Sequence, residues 1–210
     1  MTNSRQAIFD NVRAATKADV DRYEDIPRNY IRAGGLDSQG RIHLMTERLH
    51  EYGADVVECS SADIRQTIFR QLHLGKKHQI VIPAGLLPAW LDSGANWLVD
   101  QNLTHEQIEA CDGVLTASSA GVADSGTIVL HHGAEEGRRV ISLLPDFHLC
   151  VLRASQILET LPEYFSRFPE PPRLATYISG PSATADIEMT RIKGVHGPRF
   201  LSVIIVRDDF

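Results

Sequence analysis

Short runs of β-branched and apolar residues alternate with longer stretches of helical period along most of this chain, and that alternation leaves few folds open. Residues 39–52 place Ile42, Met45, Leu49 and Tyr52 on one helical face and stop at Gly53, a residue suited to the position just past a helix end. Residues 54–59 read as a strand. Ser60 or Ser61 then caps a helix carrying Ile64, Ile68 and Leu72 that ends near Gly75. Residues 79–82 form an apolar run bounded by Pro83, as a buried parallel strand does. Thr104 opens a short helix over 106–110, and 113–117 is the next strand. Strands over 126–131, 139–144 and 147–152 suggest a locally antiparallel portion. An amphipathic helix over 155–168 closes at Pro169, Pro171 and Pro172, and 175–179 and 201–206 are the last strands. The pattern predicts an α/β fold, a mostly parallel sheet with helices on both faces, whose ligands sit beyond the carboxyl ends of the strands.

The 210 residues divide, on this reading, into an N-terminal helix and arm over 1–37 and one α/β domain over 38–210. The first helix, over 4–17, carries Ile8, Val12 and Ala15 at helical spacing. Aspartates, Pro27, Gly34 and Gly35 interrupt any period in the arm that follows. A net charge of −6 gives no general attraction to nucleic acid or to anionic lipid. Lys76-Lys77 and Arg138-Arg139 are too short to change that. No stretch approaches the 18 or so apolar residues of a membrane span, and the start lacks the basic head and apolar middle of a signal peptide. A cytoplasmic protein is expected. Cys59, Cys111 and Cys150 stand alone, with no C-x-x-C, which fits buried thiols in a reducing compartment rather than cluster or zinc ligands. No metal and no cofactor are expected.

Three segments rich in Gly and small polar residues fall at strand ends. In the first, residues 118–127, Gly121 and Gly126-Thr127 have part of the spacing of a phosphate loop, but its lysine is missing. Nor does the chain contain G-x-G-x-x-G. What remains is a polar turn offering backbone N–H groups and one carboxylate, Asp124; the alternative is a plain connection in which Asp124 bonds its own backbone. In the second, Gly180-Pro181-Ser182 leads from a strand into a helix. Asp186 and Glu188 lie near its start and Arg191 and Lys193 at its end, in the order the helix dipole favours. The unpaired first-turn N–H groups make an anion site beside Ser182 and Thr184, unless those residues serve simply as caps. In the third, Val195-His196-Gly197-Pro198, His196 is an acid, base or anion partner if its turn reaches the same cleft. His131 and His132 are adjacent on a strand and cannot share a metal. His148 faces either cleft or core.

These motifs have a recognisable order. Residues 121–130, GVADSGTIVL, resemble the pattern G-[IV]-A-[ED]-[TS]-G-[TS]-[IL]-V-L. Leu144-Pro145-Asp146-Phe147-His148 resembles L-P-x-x-H, and residues 178–188 with 194–198 resemble I-x-G-P-S-x-T-A-D-I-E followed by G-V-H-G-P. The chain is thereby similar, over roughly 39–206, to the LUD domain family of the lactate utilisation protein C (LutC/YkgG) type. The resemblance implies a fold similar to ribose-5-phosphate isomerase and the coenzyme A transferases. It implies work in the oxidation of L-lactate to pyruvate with two iron–sulfur partner proteins, this chain being the member without a cluster. The family often has Glu where this chain has Asp124. In coenzyme A transferases of similar fold a Glu in a comparable loop is the nucleophile.

Three functions follow as expectations. The first is an accessory subunit of a lactate-oxidising system whose carboxylate-sized anion site is formed by Ser182, Thr184 and His196, with Gly126, Thr127, Gly180 and Asp186 as further substrate-binding residues. The second is a free-standing transferase or isomerase acting on a phosphorylated or thioester substrate through Asp124 and His196 as the catalytic pair. The third is a non-catalytic scaffold whose N-terminal helix and arm dock a partner.

Overall fold

The computed structural model describes residues 4–16, 26–170, 172–180 and 196–207. The chain forms two compact units, Met1–Ile31 and Arg32–Phe210. The first contains helix α1 (Ser4–Thr16), in which Ile8, Phe9 and Val12 are exposed and Asp10 accepts from Gln6 and pairs with Arg13.

In the second unit, α2 (Ser38–Glu51) starts where Asp37 accepts a hydrogen bond from the Gly40 N–H. It leads into β1 (Asp55–Ser60), and α3 (Ile64–Leu74) leads into β2 (Gln79–Pro83). β3 (Asn96–Asp100) precedes α4 (His105–Glu109), which opens on a capping box between Thr104 and Gln107. Then come β4 (Gly113–Thr116), β5 (Ala120–Val122), β6 (Thr127–Leu130), β7 (Phe147–Arg153), β8 (Ile157–Leu158), α5 (Leu161–Arg167), β9 (Thr176–Ile178) and β10 (Phe200–Arg207).

Six strands make one sheet in the order β1-β10-β7-β4-β2-β3, every pairing parallel. Period-two alternation sorts its side chains between two helical layers. Leu149 and Val151 of β7 and Ile204 and Val206 of β10 pack with Ile64, Ile68 and Leu72 of α3. Cys150, Leu152, Val203 and Ile205, one residue out of step, pack with Ile42, Met45 and Leu49 of α2. Ile108 of α4 covers Val81 and Val114. The sheet is therefore parallel with helices on both faces, as the alternation of elements requires.

A second sheet, β8-β5-β6-β9, contains the antiparallel portion. Ile128 and Leu130 join the α2 layer, whereas Ala120, Val122 and Val129 face Tyr164 of α5.

Three expected elements differ. Residues 139–144 are no strand: Arg139–Ser142 is a 3-10 turn that drives Ile141 into the patch beneath α4 and leaves Leu144 exposed. The helix expected over 155–168 is split into a 3-10 turn (Ala154–Gln156), β8 and the seven residues of α5. Thr160 and Glu163 form a capping box with Pro162 in the first turn, so the helix begins afresh there. β5 was expected as part of a polar turn. It is a buried strand because small residues let it lie against Leu152: a Cβ on Gly121 would stand 2.9 Å from that side chain.

Candidate functional site

The turn joining β5 to β6 is built from both ends. The Gly126 N–H donates to Ala123 O at 3.2 Å and closes it. The Ala123 and Asp124 N–H groups donate to Leu158 O and Glu159 O, which ties the turn to the end of β8. On the other side the last turn of α2 reaches over it. Arg48 Nε donates to the Asp124 carbonyl at 3.1 Å, and the Tyr52 hydroxyl donates to the Gly126 carbonyl at 2.6 Å. Burial pushes the Tyr52 phenol well above its ordinary range, so it stays a neutral donor.

Gly126 is required twice. Its φ of +62° is one that side chains rarely adopt, and a Cβ there would lie 2.6 Å from Arg48 Cβ. Gly126→Ala is expected to destabilise the fold by about 1–2 kcal/mol in urea denaturation. Asp124→Ala, at an exposed side chain, is expected to stay within about 0.5 kcal/mol of the parent. Equal losses for the two substitutions would show that the turn is not held as described.

The chemistry on offer is a row of hydroxyls. Ser125 Oγ lies 2.7 Å from Thr127 Oγ1, and Thr127 Oγ1 donates to Ser179 Oγ at 2.8 Å. Antiparallel pairing of β6 with β9 sets this meeting, since Ile128 is in register with Ile178. Gly180 follows with a φ of +59° and open space where a side chain would stand. The structure thus joins Asp124, Gly126 and Thr127 to the Ser179-Gly180 corner. The Asp124 carboxylate accepts no hydrogen bond among the described residues, and it projects from the same turn. Ser182, Thr184 and Asp186 lie outside the described residues.

His196 is exposed and opens the segment that enters β10. Its neighbour Gly197 faces Leu143, and Arg199 pairs with Asp146 ahead of β7. This turn therefore stands at the amino ends of β7 and β10. Among the described residues no hydrogen bond or ion pair links His196 to Asp124 or Thr127. His148, from the same family motif, is in the core at 1% exposure, with Nε2 2.8 Å from Thr116 Oγ1.

The carboxyl edge of the large sheet gathers His131, His132 and Arg138 with Asp100 and Glu136, two acids that the sequence pattern had not singled out. The segment 131–138 lies across it: Gly85 N–H donates to Ala134 O, and Ala117 N–H donates to Glu135 O. The carboxylate of Glu136 is buried and accepts from Ser119 Oγ at 2.5 Å and from the Gly133 N–H at 3.3 Å. His132, at a φ of +58°, reaches Gly137 O and Thr176 Oγ1. His131 Nε2 lies 2.8 Å from the Tyr164 hydroxyl, which also receives the Tyr177 hydroxyl. At the end of β3, Arg138 makes two bonds to Asp100, and its guanidinium holds that carboxyl below the usual range. The visible signal was Gly133-Ala134-Glu135-Glu136-Gly137, two acids between glycines directly after a strand. The Glu136 carboxylate, the His131 and His132 rings and the Asp100–Arg138 pair each have a partner within the protein, so the cluster fastens the edge rather than opening a site. Among the described residues no group of three or more His, Cys, Asp or Glu is placed to hold a metal, and no helix is long and apolar enough to cross a membrane.

The LUD domain model matches residues 12–206. A protein of Deinococcus radiodurans named lactate utilization protein C is 40% identical over 169 residues, 79% of each chain. One of the same name from Exiguobacterium sp. is 29% identical over 204 residues, 89% of this chain and 86% of that one. A crystal structure described as a DUF162 family protein from Deinococcus radiodurans superposes with a TM-score of 0.72 at 35% identity, covering 82% of this chain and 99% of that one.

Proposed function

The chain belongs to the LUD domain family, and from that premise we propose that it is an accessory subunit of a cytoplasmic system that oxidises L-lactate to pyruvate. One observation carries the reading: a relative named lactate utilization protein C shares 40% of its residues across 79% of both chains. In this reading two iron–sulfur proteins carry the electrons. An iron–sulfur cluster takes clustered thiolates, and this chain's cysteines are three free thiols, Cys111 and Cys150 among them buried.

The reading gives the β5–β6 turn the task of holding a small monoanion. Ser125, Thr127 and Ser179 supply hydroxyl donors, and the bare Gly180 lets a ligand approach the backbone. Ser182, Thr184 and Asp186 continue this corner in sequence, and His196 supplies the cation or proton donor. The exposed Asp124 carboxylate favours one second reading, a transferase or isomerase in which it attacks the substrate.

Deleting the gene is expected to abolish growth on L-lactate while growth on pyruvate continues, with wild-type protein restoring it. Unchanged growth on lactate would sink the proposal. The Thr127→Val variant is expected to restore growth poorly, and Asp124→Ala to restore it fully. Failure of Asp124→Ala alone, with normal folding by circular dichroism, would move the assignment to the carboxylate reading.

A further inference from the structure

Away from this turn, α3 and the segment after β2 enclose a groove of about 480 Å³. One wall is Ser61, Arg65 and Phe69; the other is Ala89, Trp90 and Asp92. Ser61 directly follows the last residue of β1, so the groove opens beyond the carboxyl end of a parallel strand, where ligands of such sheets bind. A three-carbon acid would leave most of this space empty. The volume falls in the range of about 300–1,000 Å³ that suits larger organic ligands.

The walls divide into a cationic end and an aromatic floor. Arg65 Nε donates to Ala89 O at 2.8 Å, which stretches the side chain along the groove. Its terminal nitrogens have no hydrogen bond or ion pair among the described residues. One helical turn on, roughly 6 Å along the axis, the Phe69 ring is 41% exposed. That ring is held by two neighbours and still keeps much of its surface open. His73 stacks on it with centroids 5.8 Å apart, and a Cβ on Gly94 would stand 2.3 Å from it. Trp90, 5% exposed, is held under the Arg153 guanidinium, 5.8 Å from the ring centroid. Asp92, the acid of the lining, has Oδ1 occupied by the Gly94 N–H.

We infer that this groove binds a nucleoside phosphate, its base lying on Phe69 and its phosphate on Arg65. A part-exposed ring one helical turn from a guanidinium whose terminal nitrogens are unengaged among the described residues matches a ligand that is planar at one end and anionic at the other. The net charge of −6 offers anions no general attraction, so binding depends on this one cation. The site is separate from the β5–β6 turn and does not depend on the lactate reading.

Calorimetric titration of the full chain with ADP, adenosine and inorganic phosphate tests it. ADP is expected to bind one to one with a Kd below about 1 mM. Adenosine and phosphate are each expected to bind roughly tenfold more weakly or worse. Arg65→Gln and Phe69→Leu are expected to weaken ADP by roughly tenfold, and Arg70→Ala, also on α3 but outside the groove, to leave it unchanged. No ADP binding at about 1 mM overturns the assignment. So does ADP binding that Arg65→Gln and Phe69→Leu both leave intact while their far-UV spectra match the parent, or phosphate binding as tight as ADP. Growth on lactate is scored independently, so either proposal can fail alone.

Discussion

Stability is expected to fall by about 3 kcal/mol between pH 7 and pH 4 through one residue, His148. Its ring is 1% exposed in the middle of the parallel sheet, and burial pulls its pKa from 6.5 down to about 4. The neutral ring is the form the folded state accepts, held beside Thr116. A histidine depressed on folding contributes stability that is complete above the unfolded value near 6.5. That stability drains away as pH falls toward the folded value, because the unfolded chain takes up the proton first. Urea denaturation at pH 7, 5.5 and 4.5 reads the effect. The His148→Leu variant is expected to show a much flatter dependence over this window. Parallel curves for the variant and the parent would refute the assignment.

Arg138→Leu is expected to destabilise the fold by about 3 kcal/mol at pH 7. The Asp100 side chain is 3% exposed, and both carboxylate oxygens accept from Arg138, with the Leu103 N–H as a further donor. Removing the guanidinium leaves a buried carboxylate at the end of β3 with too few partners. Arg138 itself is 41% exposed, so solvent enters and the loss stays at the lower end of the range for buried pairs. Asp100→Asn in the Arg138→Leu background is expected to recover about 1–2 kcal/mol, because the uncompensated charge is gone. A double variant as weak as the single one would show that packing, not charge, sets the loss.

The period of the apolar residues made most of the fold legible. Ile42, Met45 and Leu49 on α2, and the uninterrupted runs of β2 and β10, declare their layers without tertiary information. The misread segments are those where local pattern and tertiary position disagree. Residues 139–144 have the composition of a strand, yet only a tight turn brings Ile141 under α4. β3 went unnoticed because it is an edge strand with half its surface in water, so its pattern is diluted. At the candidate site, the glycine-rich segments drew attention to Gly126 and Gly180, and both take up a positive φ. Those segments gave no hint of Arg48 and Tyr52, which arrive from a helix far earlier in the chain, or of the Ser179 hydroxyl meeting Thr127. Polar partners that meet only through strand pairing leave no signature in local sequence.

The placement of β10 has a consequence for how the protein is made. Arg207 on this strand bonds Glu58 on β1 across 149 positions of sequence, and β10 is the wedge that separates β1 from β7. Until it leaves the ribosome, β1 has no neighbour and presents a bare hydrogen-bonding edge. The nascent chain must therefore wait in a half-built state in which β1 is open to stray strands. Interrupted translation just before Phe200 would yield a sticky fragment rather than a slightly shorter subunit.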